Sequence, residues 1–403
     1  MTKIFLTGIT GLVGGAFATA LLKERKDVKI VALTRSNSAR TARQRVEEVI
    51  EAQCKFDGCA EMPLEVRVED VLEAKCKSEG CPETFSKIMA AIEVIDGDVA
   101  DLNPEELAKN PLLKDVNVVF HCAADVNLGK DPEGKTFNIN FHGTENVLAL
   151  AKLLKVKEFH YVSTAYVAGR SSGLAMEGIP PNAEFNNPYE ESKYKAELLV
   201  RNSGIPFSIY RPSIITGRVE DGRIRRPLAF YRIIEFLSKL KKNQCFKQGI
   251  DPREWVDIHA HFNAIPSERV YFVPIDYVQS AITALFQKPV CNKTYHITGD
   301  SPVTTEMIDR AVCRTLRLKG VEVKRREITE GDEMIGRFLG DLLPYFASDI
   351  IFDQTNVREA LGEKALDWEL GEKGLTVMMR SFFLDFFPDV DWIHDIIKED
   401  SKA

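Results

Sequence analysis

The chain has 403 residues, 44% apolar and 28% charged, an ordinary globular composition with material for one large domain or two of typical size. A net charge of −7 argues against a nucleic-acid-binding surface, which carries a basic excess, but leaves room for a local basic groove around a phosphorylated ligand. No apolar run reaches the roughly 18 residues of a membrane span. The chain enters an apolar strand at Ile4-Phe5-Leu6 with no signal-peptide pattern, so a soluble, cytoplasmic protein without a transmembrane segment is expected.

In chain order, residues 3–7 read as a strand, 13–23 as an apolar helix, 28–33 as a second strand and 39–53 as a polar helical segment. Strands three and four fall at 91–95 and 116–120. A helix at 144–154 precedes strand five at 158–163, and a helix at 189–200 precedes strand six at 206–210. Strands alternating with helices imply an α/β fold: a Rossmann-type, doubly wound parallel sheet with helices on both faces, assigned to residues 1–212. Past Arg211 the rhythm changes. An amphipathic helix at 227–240, strands at 270–272 and 294–298, a helix at 277–286 and a mostly helical stretch after Thr304 read as a smaller substrate-binding lobe, residues 213–403. No low-complexity linker separates the two, so they are expected to pack as one unit, with segments near 270–300 returning to the Rossmann sheet.

The first β-to-α turn is Thr7-Gly8-Ile9-Thr10-Gly11-Leu12-Val13-Gly14. Glycines there let the backbone turn tightly and approach a pyrophosphate seated on the helix N-terminus, making Gly8, Thr10, Gly11, Leu12, Val13 and Gly14 candidate cofactor contacts. The second strand ends in Leu33-Thr34-Arg35, without the acid that would bind ribose hydroxyls and favour NAD. Arg35, with Arg45 on the next helical segment, suits a 2′-phosphate, so NADP(H) is the expected cofactor. Gly97-Asp98-Val99 and His121-Cys122-Ala123-Ala124 lie at strand carboxyl ends. Asp98 is placed to accept from the adenine amino group, with Val99 beside it. Small side chains at Ala123 and Ala124, next to Cys122, let the cofactor lie against the backbone.

Tyr189 and Lys193 are four apart on a helix opened by Asn186-Asn187-Pro188, so they share a face. A nearby ammonium is expected to lower the tyrosine pKa from about 10 and make it a usable proton donor. Ser163-Thr164 supplies a hydroxyl at the end of the preceding strand. These signals in this order resemble the extended short-chain dehydrogenase/reductase superfamily. More narrowly, the stretches Leu33-Thr34-Arg35, Val162-Ser163-Thr164-Ala165-Tyr166-Val167-Ala168-Gly169, Val273-Pro274-Ile275-Asp276-Tyr277-Val278 and Tyr295-His296-Ile297 resemble the thioester-reductase branch, which includes male-sterility-type fatty acyl-CoA reductases. The resemblance covers about residues 1–300. It implies that Thr164 and Tyr189 hold a substrate carbonyl oxygen and that Lys193 binds the nicotinamide ribose. It implies that Arg35 and Arg45 hold the 2′-phosphate and that the backbone at Pro212 lies beside the nicotinamide. The implied reaction is hydride transfer from NADPH to an acyl thioester, on CoA or an acyl carrier protein, giving an aldehyde or alcohol, with a homodimer left open as the assembly.

Two further features stand outside that set. Arg223, Arg225 and Arg226 form a basic cluster that reads either as a solvated patch or as a contact for CoA phosphates or an acidic carrier. Phe382-Phe383-Leu384-Asp385-Phe386-Phe387 reads first as a core helix, with an acyl tunnel or a membrane-facing surface as the alternatives. Cys54-Lys55-Phe56-Asp57-Gly58-Cys59 is echoed by Cys76-Lys77-Ser78-Glu79-Gly80-Cys81. Four thiolates could hold a structural zinc, but the Cys-x4-Cys spacing is loose and redox pairs or a metal-free loop fit as well; no catalytic metal is expected. Because fold and triad do not fix the substrate, two other readings stay open: a reductase or epimerase acting on a nucleotide sugar, sterol-like or β-keto substrate, and a non-catalytic NADP(H)-binding regulator.

Overall fold

The computed structural model describes residues 1–58, 81–180, 184–325, 340–346, 348–363 and 368–400. Its centre is a seven-stranded parallel sheet: β1 (Thr2–Thr7), β2 (Val28–Thr34), β3 (Ile92–Asp96), β4 (Val118–His121), β5 (Glu158–Val162), β6 (Phe207–Pro212) and β7 (Lys293–Ile297). The spatial order is β3-β2-β1-β4-β5-β6-β7, so the winding reverses between β1 and β4. In such sheets the crevice beyond the strand carboxyl ends at the reversal is where ligands bind.

Helices cover both faces, so the strands read as continuous apolar runs rather than alternating ones. Along β1, Ile4 and Leu6 enter one core layer and Phe5 the other. On the first layer α1 (Leu12–Glu24) buries Leu12, Ala16, Phe17 and Leu21, and the Phe17 ring stacks 3.8 Å from Phe120 of β4. On the other, α4 (Gly143–Leu153) buries Val147, Leu148, Leu150 and Ala151. Helix α2 (Ala42–Gly58) packs against α3 (Cys81–Met89), a helix absent from the sequence reading. Cys54 is buried on α2, and Cys81 begins α3. Cys59 and Cys76 lie outside the described residues, and with them the expectation of a zinc site.

Residues beyond β6 divide between the sheet and the second lobe. Helix α7 (Ile275–Phe286) packs on α1, and β7 extends the sheet beyond β6. The lobe contains α6 (Phe230–Gln248), α8 (Thr305–Leu316), α9 (Gly371–Phe386) and α10 (Asp391–Asp400). The stretch after Thr304, helical over α8, α9 and α10, also holds a strand that the sequence reading did not place. Leu318–Val323 is a strand, paired in parallel with Val256–Phe262 across α8. The phenylalanine run lies on α9, with Phe382 and Phe383 buried and the Phe382 ring 5.0 Å from Tyr231, so these rings build the lobe's own core. Among the described residues no helix is long and apolar enough to cross a membrane.

Candidate active site

A cleft of about 560 Å³ runs along the sheet's carboxyl edge beneath the second lobe. One end is built by the β1–α1 turn. Gly8 has φ +79°, and a Cβ there would stand 2.5 Å from the Ala123 nitrogen, so the turn requires glycine both for its conformation and for its approach to the strand β4 exit. Gly11 caps α1, and its N–H donates to the Gly8 carbonyl at 2.9 Å. Leu12 and Val13, whose backbone N–H groups open α1, line the cleft, as an anion site at a helix N-terminus needs. Thr10, Leu12, Val13, Val99, Cys122, Ala123, Ala124 and Pro212 line the same cleft. Gly14 does not line it. A Cβ at Gly14 would sit 2.2 Å from the Gly8 carbonyl oxygen, so this glycine serves the packing of α1 on the turn.

The cleft also holds Arg35, Arg45 and Asp98, the residues expected at the adenosine. Arg35 Nη1 donates to Asp98 Oδ2 at 2.7 Å, and Arg45 donates to the Arg35 carbonyl. The side chains expected to hold a 2′-phosphate and an adenine therefore engage each other in this structure. Arg35 is more than half exposed and is restrained by that single carboxylate.

At the other end Thr164, Tyr189 and Lys193 converge. Thr164 follows β5 and caps the short helix Ala165–Ala168, its Oγ1 accepting from the Tyr166 N–H at 3.3 Å. Helix α5 (Pro188–Arg201) begins with Pro188 and is capped by Asn187, whose Oδ1 accepts from the Glu190 N–H at 3.0 Å. This cap sets the first turn, from which Tyr189 and Lys193 reach the cleft. Lys193 Nζ donates to the Val162 carbonyl at 2.7 Å and lies 4.2 Å over the Tyr161 ring. Burial lowers its pKa to about 8. The expected lowering of the Tyr189 pKa does not occur. Burial pushes that phenol up, a hydrogen bond with Thr164 opposes the shift only in part, and the Lys193 ammonium is engaged by a backbone carbonyl instead. Burial likewise raises the Cys122 thiol to about 11, which removes it as a nucleophile.

Two polar assemblies behind the cleft were not legible in the sequence. The first runs through the π-helical stretch Asn138–His142. Asn140 Nδ2 donates to Ser192 Oγ at 2.9 Å and to the Asp125 carbonyl at 3.0 Å, while its Oδ1 accepts from the Asp125 N–H at 2.8 Å. It thus ties the loop after β4 to the residue before Lys193. His121 joins the same assembly: Nδ1 lies 2.6 Å from Thr7 Oγ1 and Nε2 lies 2.9 Å from Thr144 Oγ1, which donates to the Asn140 carbonyl at 2.6 Å. Burial holds the His121 pKa near 3, so the ring is neutral. With Thr144 donating onward, Nε2 carries the hydrogen and Nδ1 accepts from Thr7.

The second assembly centres on Arg211 of β6, 1% exposed. It grips Glu197 of α5 with two bonds, Nε–Oε1 at 2.8 Å and Nη2–Oε2 at 2.7 Å, and donates to the Gly178 carbonyl at 2.9 Å. His296 of β7 accepts from Arg211 at Nε2, 3.2 Å away, and donates from Nδ1 to the Asp353 carbonyl at 2.7 Å. Glu177 accepts from the backbone N–H groups of His296 and Asn356 at 2.7 and 2.6 Å. Helix α5, one turn beyond Lys193, is thereby fixed to two strands and to the C-terminal segment.

Fold and cleft together define a nicotinamide-dinucleotide-binding protein of the extended short-chain dehydrogenase/reductase type. The family model described as male sterility protein, an NAD-binding family, matches residues 6–282, and the chain belongs to that family. Aldehyde reductase lnbA of Aspergillus flavus is 26% identical over 309 residues, 73% of this chain and 26% of the relative. The chain spans about a quarter of the length of the curated relatives it matches first. Among solved structures, the terminal R domain of the myxalamid PKS-NRPS pathway superposes with a TM-score of 0.69 at 21% identity, covering 96% of this chain and 92% of that one. UDP-glucuronic acid 4-epimerase from Bacillus cereus, in complex with NAD, gives 0.59 at 18% identity over 97% and 100%. Both structural likenesses concern the fold.

Proposed function

We propose that the chain is an NADPH-dependent reductase of acyl thioesters, presented on CoA or on a carrier protein. One observation carries the reading: Thr164, Tyr189 and Lys193 meet at one end of a cleft whose other end holds Arg35 and Arg45. The glycine turn suits a dinucleotide, because Gly8 lets the turn close against the β4 exit and so brings the N-terminus of α1 to the cleft, where a pyrophosphate would sit. Arg35 and Arg45 would hold the 2′-phosphate, Asp98 the adenine, and Lys193 the nicotinamide ribose. When bound, NADPH supplies the hydride. The names of a relative, the putative fatty acyl-CoA reductase CG8306 of Drosophila melanogaster, and of a structural neighbour, a thiolation-reductase di-domain from an archaeal non-ribosomal peptide synthetase, support the thioester as substrate.

The residues act on the carbonyl oxygen. Negative charge develops there in the transition state, and the Thr164 and Tyr189 hydroxyls are the donors placed to meet it. The raised pKa keeps Tyr189 protonated, so it meets that charge first as a hydrogen-bond donor. Lys193, anchored on Val162, lines the same end of the cleft as the two hydroxyls. Asn140 is a positioning residue: through Ser192 it fixes the turn that carries Tyr189 and Lys193. The resulting hemithioacetal collapses to an aldehyde and a free thiol.

The test is an assay of NADPH and NADH oxidation with a panel of acyl-CoA and carrier-bound thioesters, with product analysis. NADPH-selective turnover to aldehyde or alcohol is expected, and Tyr189→Phe should lose at least about 100-fold in kcat while still binding NADPH. Turnover of a nucleotide sugar or free ketone, with no thioester accepted, would overturn the substrate assignment.

A further inference from the structure

The chain between β6 and α6 crosses back over the cofactor-binding face, and basic side chains fasten it there. Arg218 pairs with Asp221, donates from Nη1 to the Phe56 carbonyl at 2.8 Å and lies 4.4 Å over the Phe56 ring. Gly222, at φ +69°, passes so close to α9 that a Cβ would stand 2.6 Å from the Met378 Cα. Ile224 is 3% exposed. Arg225 Nη2 then donates to the Gly11 carbonyl at 2.6 Å, and Nε donates to Gln53 Oε1 at 3.1 Å. The strap is thus pinned both to the end of α2 and to the residue that caps α1.

The next residue is Arg226. The basic cluster read from the sequence as one patch is in fact divided. Arg223 pairs with Asp385 at 3.2 Å, Arg225 is bound to backbone and amide oxygens, and Arg226 lines the cleft together with Thr10 and Gly11. Among the described residues Arg226 has no hydrogen-bond or ion-pair partner. Among the described residues its neighbour Arg225 forms no ion pair, and Asp57, whose charge acts on it, is engaged by Lys23 at 2.5 Å. Arg225 therefore stands at the N-terminus of α1, the positive end of a helix dipole, and the exposed Arg226 follows it on the wall of the cleft. Burial, and then the charge of Arg226, lowers the Arg225 pKa to about 10. Such a concentration of uncompensated positive charge on a fastened backbone has the electrostatics of a phosphate site.

We infer that Arg226 is a phosphate contact of the bound dinucleotide, supplied by the second lobe from across the glycine turn. The inference rests on the dinucleotide reading of the cleft. It adds a cofactor ligand from outside the Rossmann unit, so the cofactor bridges both parts of the molecule. Because Arg218 and Arg225 already hold the strap, little ordering is needed when the phosphate arrives.

The experiment is a fluorescence titration of the full chain with NADPH and with NADH, for wild type, Arg226→Ala and Arg226→Lys, with thermal melting of each protein without ligand. Arg226→Ala should weaken binding about tenfold, as for loss of one charge-assisted contact. Arg226→Lys should recover part of the loss, and the unliganded melting temperatures should agree, since this side chain gives up no protein contact. A loss with both dinucleotides places the contact on the pyrophosphate; a loss with NADPH alone places it on the 2′-phosphate; either supports the inference. Affinities of Arg226→Ala within about twofold of wild type for both would overturn it. A wild-type chain that binds neither dinucleotide would instead sink the cofactor reading itself.

Discussion

Replacing Gly14 with alanine tests the distinction between building the cofactor turn and touching the cofactor. The new Cβ would stand 2.2 Å from the Gly8 carbonyl oxygen and 3.1 Å from the Ile9 Cα, where ordinary contact begins at 3.4 Å. Neither neighbour is a flexible side-chain tip, so relief requires α1 to retreat by about 1 Å from the turn. That retreat loosens the Phe17–Phe120 stack and the burial of Leu12, Ala16 and Leu21. Overpacking of this kind costs about 2–3 kcal/mol, or about 3 °C in melting temperature for a chain of this length. At Gly11, by contrast, the closest atom to an added Cβ is 3.1 Å away and the backbone is in an ordinary region. Gly11→Ala should lose less in melting temperature than Gly14→Ala yet weaken dinucleotide binding, because Gly11 lines the cleft and Gly14 does not. Thermal melting and NADPH titration of the two variants make the comparison. Equal melting of Gly14→Ala and wild type would refute the packing argument.

Two further outcomes follow from the buried polar assemblies. Arg211→Met should destabilise the fold by about 3–5 kcal/mol, because it leaves buried Glu197 with only the longer Arg201 contact at 3.5 Å in place of its two-bond partner; denaturant unfolding measures this, and a loss under about 1 kcal/mol would count against it. Stability should also fall on acidification. His121 and His296 are neutral in the folded chain with pKa values near 3, against about 6.5 unfolded, so the stability they contribute is complete above pH 6.5 and is lost as pH falls toward 3. At pH 5 this amounts to about 2 kcal/mol each. Glu177, raised to about 7 by burial, acts in the opposite sense between pH 7 and 4.5 and offsets about half of it. Unfolding free energies at pH 7.5 and 5 should therefore differ by about 2 kcal/mol, and equal values would contradict the neutral assignment.

What the sequence reveals here is what depends on neighbours along the chain. The glycine turn, the run of β strands and the order Thr164, Tyr189, Lys193 are local patterns, and each lands at the cleft. Asn140 is different: a lone asparagine in a helical stretch looks like a weak helix former, and only the approach of Ser192, 52 positions away, gives it a task. The direction of the Tyr189 shift depends on how much lobe covers the phenol, which no spacing reports. Val256-Asp257-Ile258-His259-Ala260 does alternate in the manner of a strand, but its partner begins at Leu318, so pairing depended on contacts remote in sequence. Arginines 223, 225 and 226 looked alike as a charge run, and tertiary contacts alone separate an ion-pair member, a backbone clamp and an open cation.

The π-helical stretch Asn138–His142 sets the angular phase of everything after it. A π turn carries one residue more than an α turn, and each residue of an α-helix advances the chain by about 100°. Deleting one residue there would restore ordinary helical winding and rotate α4 by that angle, turning Val147 and Ala151 out of the core while Asn140 left Ser192. Relatives that have lost this residue would keep the same amino acids in alignment and yet lack the wiring, so the length of the segment, rather than its composition, is what an evolutionary comparison should track.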